Sequence, residues 1–151
     1  MFKFKRLDHI GLATADAERF LDFYCGILGF EVRERWTIEG RRLKGVANLS
    51  LNAPNSGEDG SVLELFAIDP DIPRDPNYNE PAVEQTGFRL LALEVDDMDE
   101  AIEYLEGKGI KVNSDGTTNP ARWFRDPDGN QIIFFPSSVY ETYKRINGKE
   151  F

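Results

Sequence analysis

The sequence holds a single cysteine, Cys25, and a single histidine, His9, among its 151 residues. One cysteine excludes an internal disulfide framework, so a reducing, cytoplasmic setting is expected. One histidine excludes every mechanism that needs two, multi-histidine metal centres included. No apolar run approaches the roughly 18 residues that a membrane span requires. The basic amino end, MFKFKRLDHIGL, also lacks the unbroken apolar stretch of a secretory leader, so neither a membrane nor an exported setting is expected. Positive charge is scarce: 18 Lys and Arg stand against 27 Asp and Glu, for a net charge of -9. The cations are scattered, which gives a phosphate-tracking surface nothing to rest on, and nucleic acid is not an expected partner.

What is present fits one compact domain of ordinary composition, 40% hydrophobic and 30% charged, with an aromatic share of 12% that includes 11 Phe. The chain repeats itself internally. Residues 7–32 align with 88–112: His9 falls on Leu90 and Leu12 on Leu93, an offset of 81. One gap inside the following helix brings Gly29 over Gly109 and Val32 over Val112. Further on, 60–66 (GSVLELF) lies over 129–135 (GNQIIFF), which sets Glu64 on Ile133 and Phe66 on Phe135.

Each half opens with an alternating apolar run, HIGLA or LLALEV, which reads as a strand. A helix follows. In the first half Asp16 is the expected N-cap, Phe20, Phe23, Tyr24 and Ile27 form the apolar stripe, and Gly29 ends it. In the second, Asp97 with Glu100 resembles a capping box, Met98, Ala101, Ile102 and Leu105 form the stripe, and Gly107 or Gly109 ends it. Three strand-like runs come next in each half, at 30–37, 43–51 and 61–68, then 110–113, 121–125 and 131–135. The sequence Asp126-Pro-Asp-Gly129 has the residues of a type I turn, so the last two strands should form a hairpin. The chain therefore reads as a single α+β domain spanning 1–151: module one at about 5–68, a Pro- and Asp-rich linker at 69–86, module two at about 87–136, and a tail at 137–151 with a helix near 140–146.

Two β-α-β-β-β modules in tandem, the strand D-H-I-G-L, a helix ending F-Y-x-x-I-L-G-F, the strand L-E-L-F and the closing R-D-P-D-G-N-Q-I-I-F together resemble the vicinal oxygen chelate superfamily. Glyoxalase I, extradiol dioxygenases, methylmalonyl-CoA epimerase and the fosfomycin- and bleomycin-resistance proteins belong to it. The resemblance covers residues 5–136. It implies tandem modules curled into a half-open barrel around a ligand cleft, commonly in a homodimer. It also implies four metal-ligand positions, which fall here on His9, Glu64, Leu90 and Ile133.

Half of that ligand set is aliphatic. One imidazole and one carboxylate are two ligands, where structural zinc takes four and catalytic zinc three plus water. The expected cofactor is therefore none, or a divalent ion held weakly by His9 and Glu64 with water completing its sphere. Extradiol dioxygenase chemistry, with two His and a carboxylate, is excluded by the single His.

Each candidate has a structural alternative. His9 either hydrogen-bonds a neighbour or serves as a ligand group, acid or base. Glu64, flanked by Leu63 and Leu65, needs a partner if buried; His9 can supply it, and Glu64 is the candidate catalytic base. Phe66 and Phe135 share strand parity with Glu64 and Ile133. With Trp36 and Trp123 they either fill the core or stack on a planar or cationic ligand, beside the aliphatic positions Leu90 and Ile133. Glu94 shares parity with Leu90 at a solvated strand end. Asp99, Glu100, Glu103 and Glu106 form a wet helix face, and Cys25 reads as a structural thiol within the first helix.

Two functions compete. One is a homodimeric binding protein that sequesters a small organic molecule in an aromatic, acidic cleft with a degenerate metal site. The alternative is a glyoxalase-like lyase or isomerase, assisted by a divalent metal, that works through His9 and Glu64.

Overall fold

The computed structural model describes residues 9–39, 42–51, 62–71, 90–114, 120–136 and 138. The chain divides into two compact units, Met1–Asp75 and Pro76–Phe151. Most of the linker expected at 69–86, and the tail helix expected near 140–146, lie outside the described residues.

The first unit is β1 (His9–Thr14), α1 (Ala17–Tyr24), β2 (Glu31–Thr37), β3 (Leu43–Ser50) and β4 (Val62–Ile68). Its four strands form one mixed sheet in the order β1-β4-β3-β2, with β1 parallel to β4 and the other pairs antiparallel. The second unit is β5 (Leu90–Val95), α2 (Met98–Gly107), β6 (Arg122–Arg125) and β7 (Gln131–Pro136). Its sheet has the order β5-β7-β6, with β5 parallel to β7. The α+β class and the tandem modules expected from the repeat are thus present.

The pleat assigns the faces. In β4, Leu63 and Leu65 are buried, and in β1 so are Leu12 and Thr14. These alternate with His9, Gly11, Glu64 and Phe66, which share the other face. The α1 stripe supplies the matching half of the core: Phe20 and Tyr24 are fully buried and stacked at 4.2 Å between ring centroids, and Phe23 meets Tyr24 edge-on at 5.4 Å. Unit two repeats this with Leu105, Phe124, Ile132 and Phe134.

Helix starts follow the sequence. The Asp16 side chain accepts from the Arg19 N–H, and that of Asp97 accepts from the N–H groups of Asp99 and Glu100. Helix ends explain the gap in the repeat. In α2 the Ile110 N–H reaches back five residues to the Leu105 carbonyl, with Gly109 at φ +79°. In α1 the equivalent bond, from the Phe30 N–H to the Tyr24 carbonyl, spans six, with Gly29 at φ +79°. The extra residue is absorbed in a wide turn over Cys25 to Leu28, so α1 stops at Tyr24. Ile27 and Cys25 lie beyond the helix proper rather than within it, which corrects the expectation for Cys25.

One expected strand is not formed. The run 110–113 contributes only an isolated bridge, Asn113 with Trp123. Its four residues, IKVN, include only two apolar side chains, too few to continue the ladder. The expected hairpin between β6 and β7 is formed: the Gly129 N–H donates to the Asp126 carbonyl at 2.9 Å, and Gly129 has φ +84°. The buried Asp126 carboxylate accepts from the N–H groups of Asp128 and Asn130, at 3.0 and 2.7 Å, and from the Asn130 side chain, which pins the turn.

Candidate functional site

Parallel pairing of β1 with β4 sets His9 opposite Val62, Gly11 opposite Glu64 and Ala13 opposite Phe66. His9 and Glu64 therefore lie diagonally on one face, and their side chains meet, with His9 Nε2 to Glu64 Oε2 at 3.3 Å. The carboxylate is mostly covered, its side chain 16% exposed, while the imidazole is 45% exposed. A shielded carboxylate thus gains a partner that solvent can still reach, which is the polar satisfaction a buried Glu requires.

Phe66 leans across the same face onto β1. A Cβ at residue 11 would stand 2.5 Å from Phe66 Cε2, so the ring edge occupies the space that any side chain there would fill. Gly11 is a contributor that strand periodicity alone did not single out. Its signal was a glycine inside an otherwise regular strand, a mark of close approach. Trp36 lies on the outermost strand, 41% exposed and opposite Val46, which in turn faces Phe66. By pleat alternation Trp36, Val46 and Phe66 form a row on the His9–Glu64 face.

The second unit reproduces the register residue for residue: Leu90 opposite Gln131, Ala92 opposite Ile133 and Glu94 opposite Phe135. Trp123 is opposite Ile133 on that same face, with the Arg125 guanidinium 5.7 Å from its ring centroid. Leu90, Ile133, Phe135 and Trp123 are thus brought onto one face of their sheet, all partly exposed, and Glu94 is exposed beside them.

The donor set can be tested against the divalent ion implied by the vicinal oxygen chelate resemblance. A separation of 3.3 Å is compatible with two ligands of one ion, since metal–ligand bonds near 2.1 Å at a tetrahedral angle put donors about 3.4 Å apart. The count is what fails. Leu90 and Ile133 carry no donor, and among the described residues no three His, Cys, Asp or Glu side chains gather as a metal-ligating group. These residues do not fit a three- or four-ligand site, and no chemical step is derived through a metal.

Two other features involve neither His9 nor Glu64. A pocket of about 220 Å³ lies beside α1, lined by Ala17, Leu21, Arg35, Gly45, Ala47 and Leu65, among others. Of the sequence-selected residues Trp36 alone borders it, and its volume is below the roughly 300–1,000 Å³ of drug-sized ligand sites. Burial pushes the Cys25 thiol above its ordinary pKa, which disfavours the thiolate and any nucleophilic role.

A β-α-β-β-β unit followed by a β-α-β-β unit of matching register, with polar groups at the β1 and β4 positions of the first, is the architecture of a glyoxalase-type protein. The chain belongs to the Glyoxalase/Bleomycin resistance protein/Dioxygenase superfamily, matched over residues 6–134. It is 33% identical to the uncharacterized protein YaeR of Escherichia coli K12 over 93% of this chain and 99% of that protein. It is 27% identical to the lactoylglutathione lyase of Schizosaccharomyces pombe over 97% of this chain, which spans about half (51%) of that enzyme. Among solved structures it superposes on the Leishmania major glyoxalase I with a TM-score of 0.70 at 18% identity, covering 94% of each chain. It superposes on TnmS3, an antibiotic binding protein from Streptomyces sp. CB03234, with a TM-score of 0.61 at 24% identity, covering 90% of this chain and 98% of that one. Among the described residues no helix is long and apolar enough to cross a membrane.

Proposed function

We propose that the chain is a metal-independent small-molecule binder, in which the His9–Glu64 face of the first unit takes a planar organic ligand. The observation that carries this reading is the donor count: the four positions that the resemblance implies as ligands hold one imidazole, one carboxylate and two aliphatic side chains. Two protein ligands are too few for a zinc site and leave an ion's sphere to water, whereas the aromatic row beside His9 and Glu64 suits an apolar ligand. Phe66 and Trp36 are the stacking surfaces of this reading, with Glu64 and His9 as the hydrogen-bonding groups of the same face. The antibiotic-binding neighbour supports the class of ligand, small and organic. The net charge of -9 favours a neutral or cationic one. The protein acts as a homodimer in the cytoplasm in this account. The test is a tryptophan-fluorescence titration with planar organic ligands, with and without chelator. Equal affinity in both conditions is expected, and binding abolished by chelator would overturn it.

A second reading has one observation in its favour, the 3.3 Å contact between His9 and Glu64. A carboxylate against an imidazole is a competent acid–base pair for a lyase or isomerase, with Glu64 as base and His9 holding or relaying the proton. Under this reading Glu64→Gln abolishes turnover of a glyoxalase- or epimerase-type substrate while the fold persists. Unchanged turnover rejects it.

A further inference from the structure

The cross-strand register places one more polar side chain in the middle of the candidate face. Glu64 pairs with Gly11 on one side and with Asn48 on the other, and Asn48 pairs in turn with Glu34. Residues directly opposite in a ladder point to the same side, so Asn48 shares the face of Glu64, one strand spacing of about 4.8 Å away. One step along the strands, Phe66, Val46 and Trp36 form a parallel apolar row. Val46 is 6% exposed between its two aromatic neighbours, while Asn48 is only half-buried and remains open to a ligand.

This arrangement is not a property of the fold at large. The register that pairs Asn48 with Glu64 pairs Trp123 with Ile133 in the second unit. The carboxamide thus stands where the repeat has an indole, next to a carboxylate where the repeat has an isobutyl-sized apolar group. One of the two cations on the neighbouring strand is turned elsewhere: Arg35, opposite Ala47 on the helix side, is paired to Glu18 at 2.5 Å.

We propose that Asn48 is a specificity-determining residue of this face, reading the edge of a planar nitrogen heterocycle that bears N–H donors. A carboxamide offers one acceptor and two donors, and the carboxylates opposite it in the register, Glu64 and the exposed Glu34, are acceptor-only when ionised. Together they complement an amidine-like edge, in which an exocyclic N–H faces Glu64 while a ring nitrogen and a second N–H face Asn48. The row of Phe66 and Trp36 supports the ring system of the same ligand by stacking. The inference rests on the binding role assigned to this face and narrows its ligand class.

Two matched probes test it: 2-aminobenzimidazole, which carries that edge, and 1,2-dimethylbenzimidazole, the same bicycle without an N–H. Affinities are read by fluorescence titration on wild type, Asn48→Leu and Asn48→Gln, with thermal melts confirming the fold of each. Wild type should favour the amino probe by about tenfold, because a site built to hydrogen-bond rejects an analogue that leaves its polar groups unmet. Asn48→Leu should cut that preference by about fivefold, the worth of one such hydrogen bond, and Asn48→Gln should retain part of it. If wild type binds both probes equally, or if Asn48→Leu keeps the full preference, the assignment of Asn48 is overturned while the binding role of the face stands. If wild type binds neither probe, the binding role fails and this inference fails with it.

Discussion

The two units share a register and differ in what they display. At equivalent places the first has His9, Gly11, Glu64 and Asn48, and the second has Leu90, Ala92, Ile133 and Trp123. Phe66 and Phe135 alone keep the same identity across the two faces. The backbone pairing is therefore insensitive to the very side chains that decide chemistry, because a ladder is specified by pleat and turn geometry while the open face is free to vary. The helices differ as well. Four α1 side chains are buried, Phe20, Leu21, Phe23 and Tyr24, whereas in α2 only Leu105 is. Unit one combines the better-anchored helix with the polar face, so the residues assigned to binding stand on the more firmly built scaffold.

That contrast can be broken in order of expected effect. Phe20→Ala should cost about 3–5 kcal/mol, since it empties a fully buried ring site, while Ile102→Ala on the half-buried α2 stripe should cost about 1–2 kcal/mol. Urea unfolding of single-tryptophan variants, with Trp36 reporting unit one and Trp123 unit two, measures each in its own unit. Equal losses would remove the difference in anchoring.

Next comes the glycine under Phe66. Gly11→Ala should destabilise by about 1–3 kcal/mol, because the new methyl group meets the ring edge. The reciprocal Ala92→Gly should cost only about 0.5–1 kcal/mol, mostly backbone entropy. Two-dimensional NMR of the Phe66 ring checks the displacement in Gly11→Ala.

The two N-caps should be alike, which sharpens the comparison by showing where it ends. Asp16→Ala and Asp97→Ala should each cost about 1 kcal/mol by chemical denaturation. Smallest is the effect at Cys25. Because burial raises its pKa, thiolate is scarce near neutral pH, and alkylation by iodoacetamide should be slower in the folded protein than in urea. The rate should climb as pH rises through the raised value, and a folded rate equal to the unfolded one would contradict this.

Much of the architecture was legible from residues. Aligning His9 with Leu90 and Glu64 with Ile133 anticipated identical pairings, since His9 faces Val62 as Leu90 faces Gln131. A two-residue period plus a repeat fixes which side chains share a strand face. It does not fix which strand residues stand opposite one another. Asn48 escaped notice because its place beside Glu64 depends on the β3–β4 register and on irregularities between Leu43 and Gly45 and between Val32 and Glu34. Bulges of this kind leave no compositional mark at Asn48 itself. The bridge at Asn113 in place of a full strand shows the same limit: strand propensity over four residues does not decide whether they pair.

The central claim is that two donors are too few, so this face binds without a metal. The direct measurement is a thermal-shift titration with magnesium, manganese, cobalt, nickel and zinc on wild type and on the His9→Ala/Glu64→Gln double variant, since an ion bound to the native state raises its melting temperature. No shift that distinguishes wild type from the double variant is the result predicted. A shift present in wild type and absent in the double variant would contradict the claim.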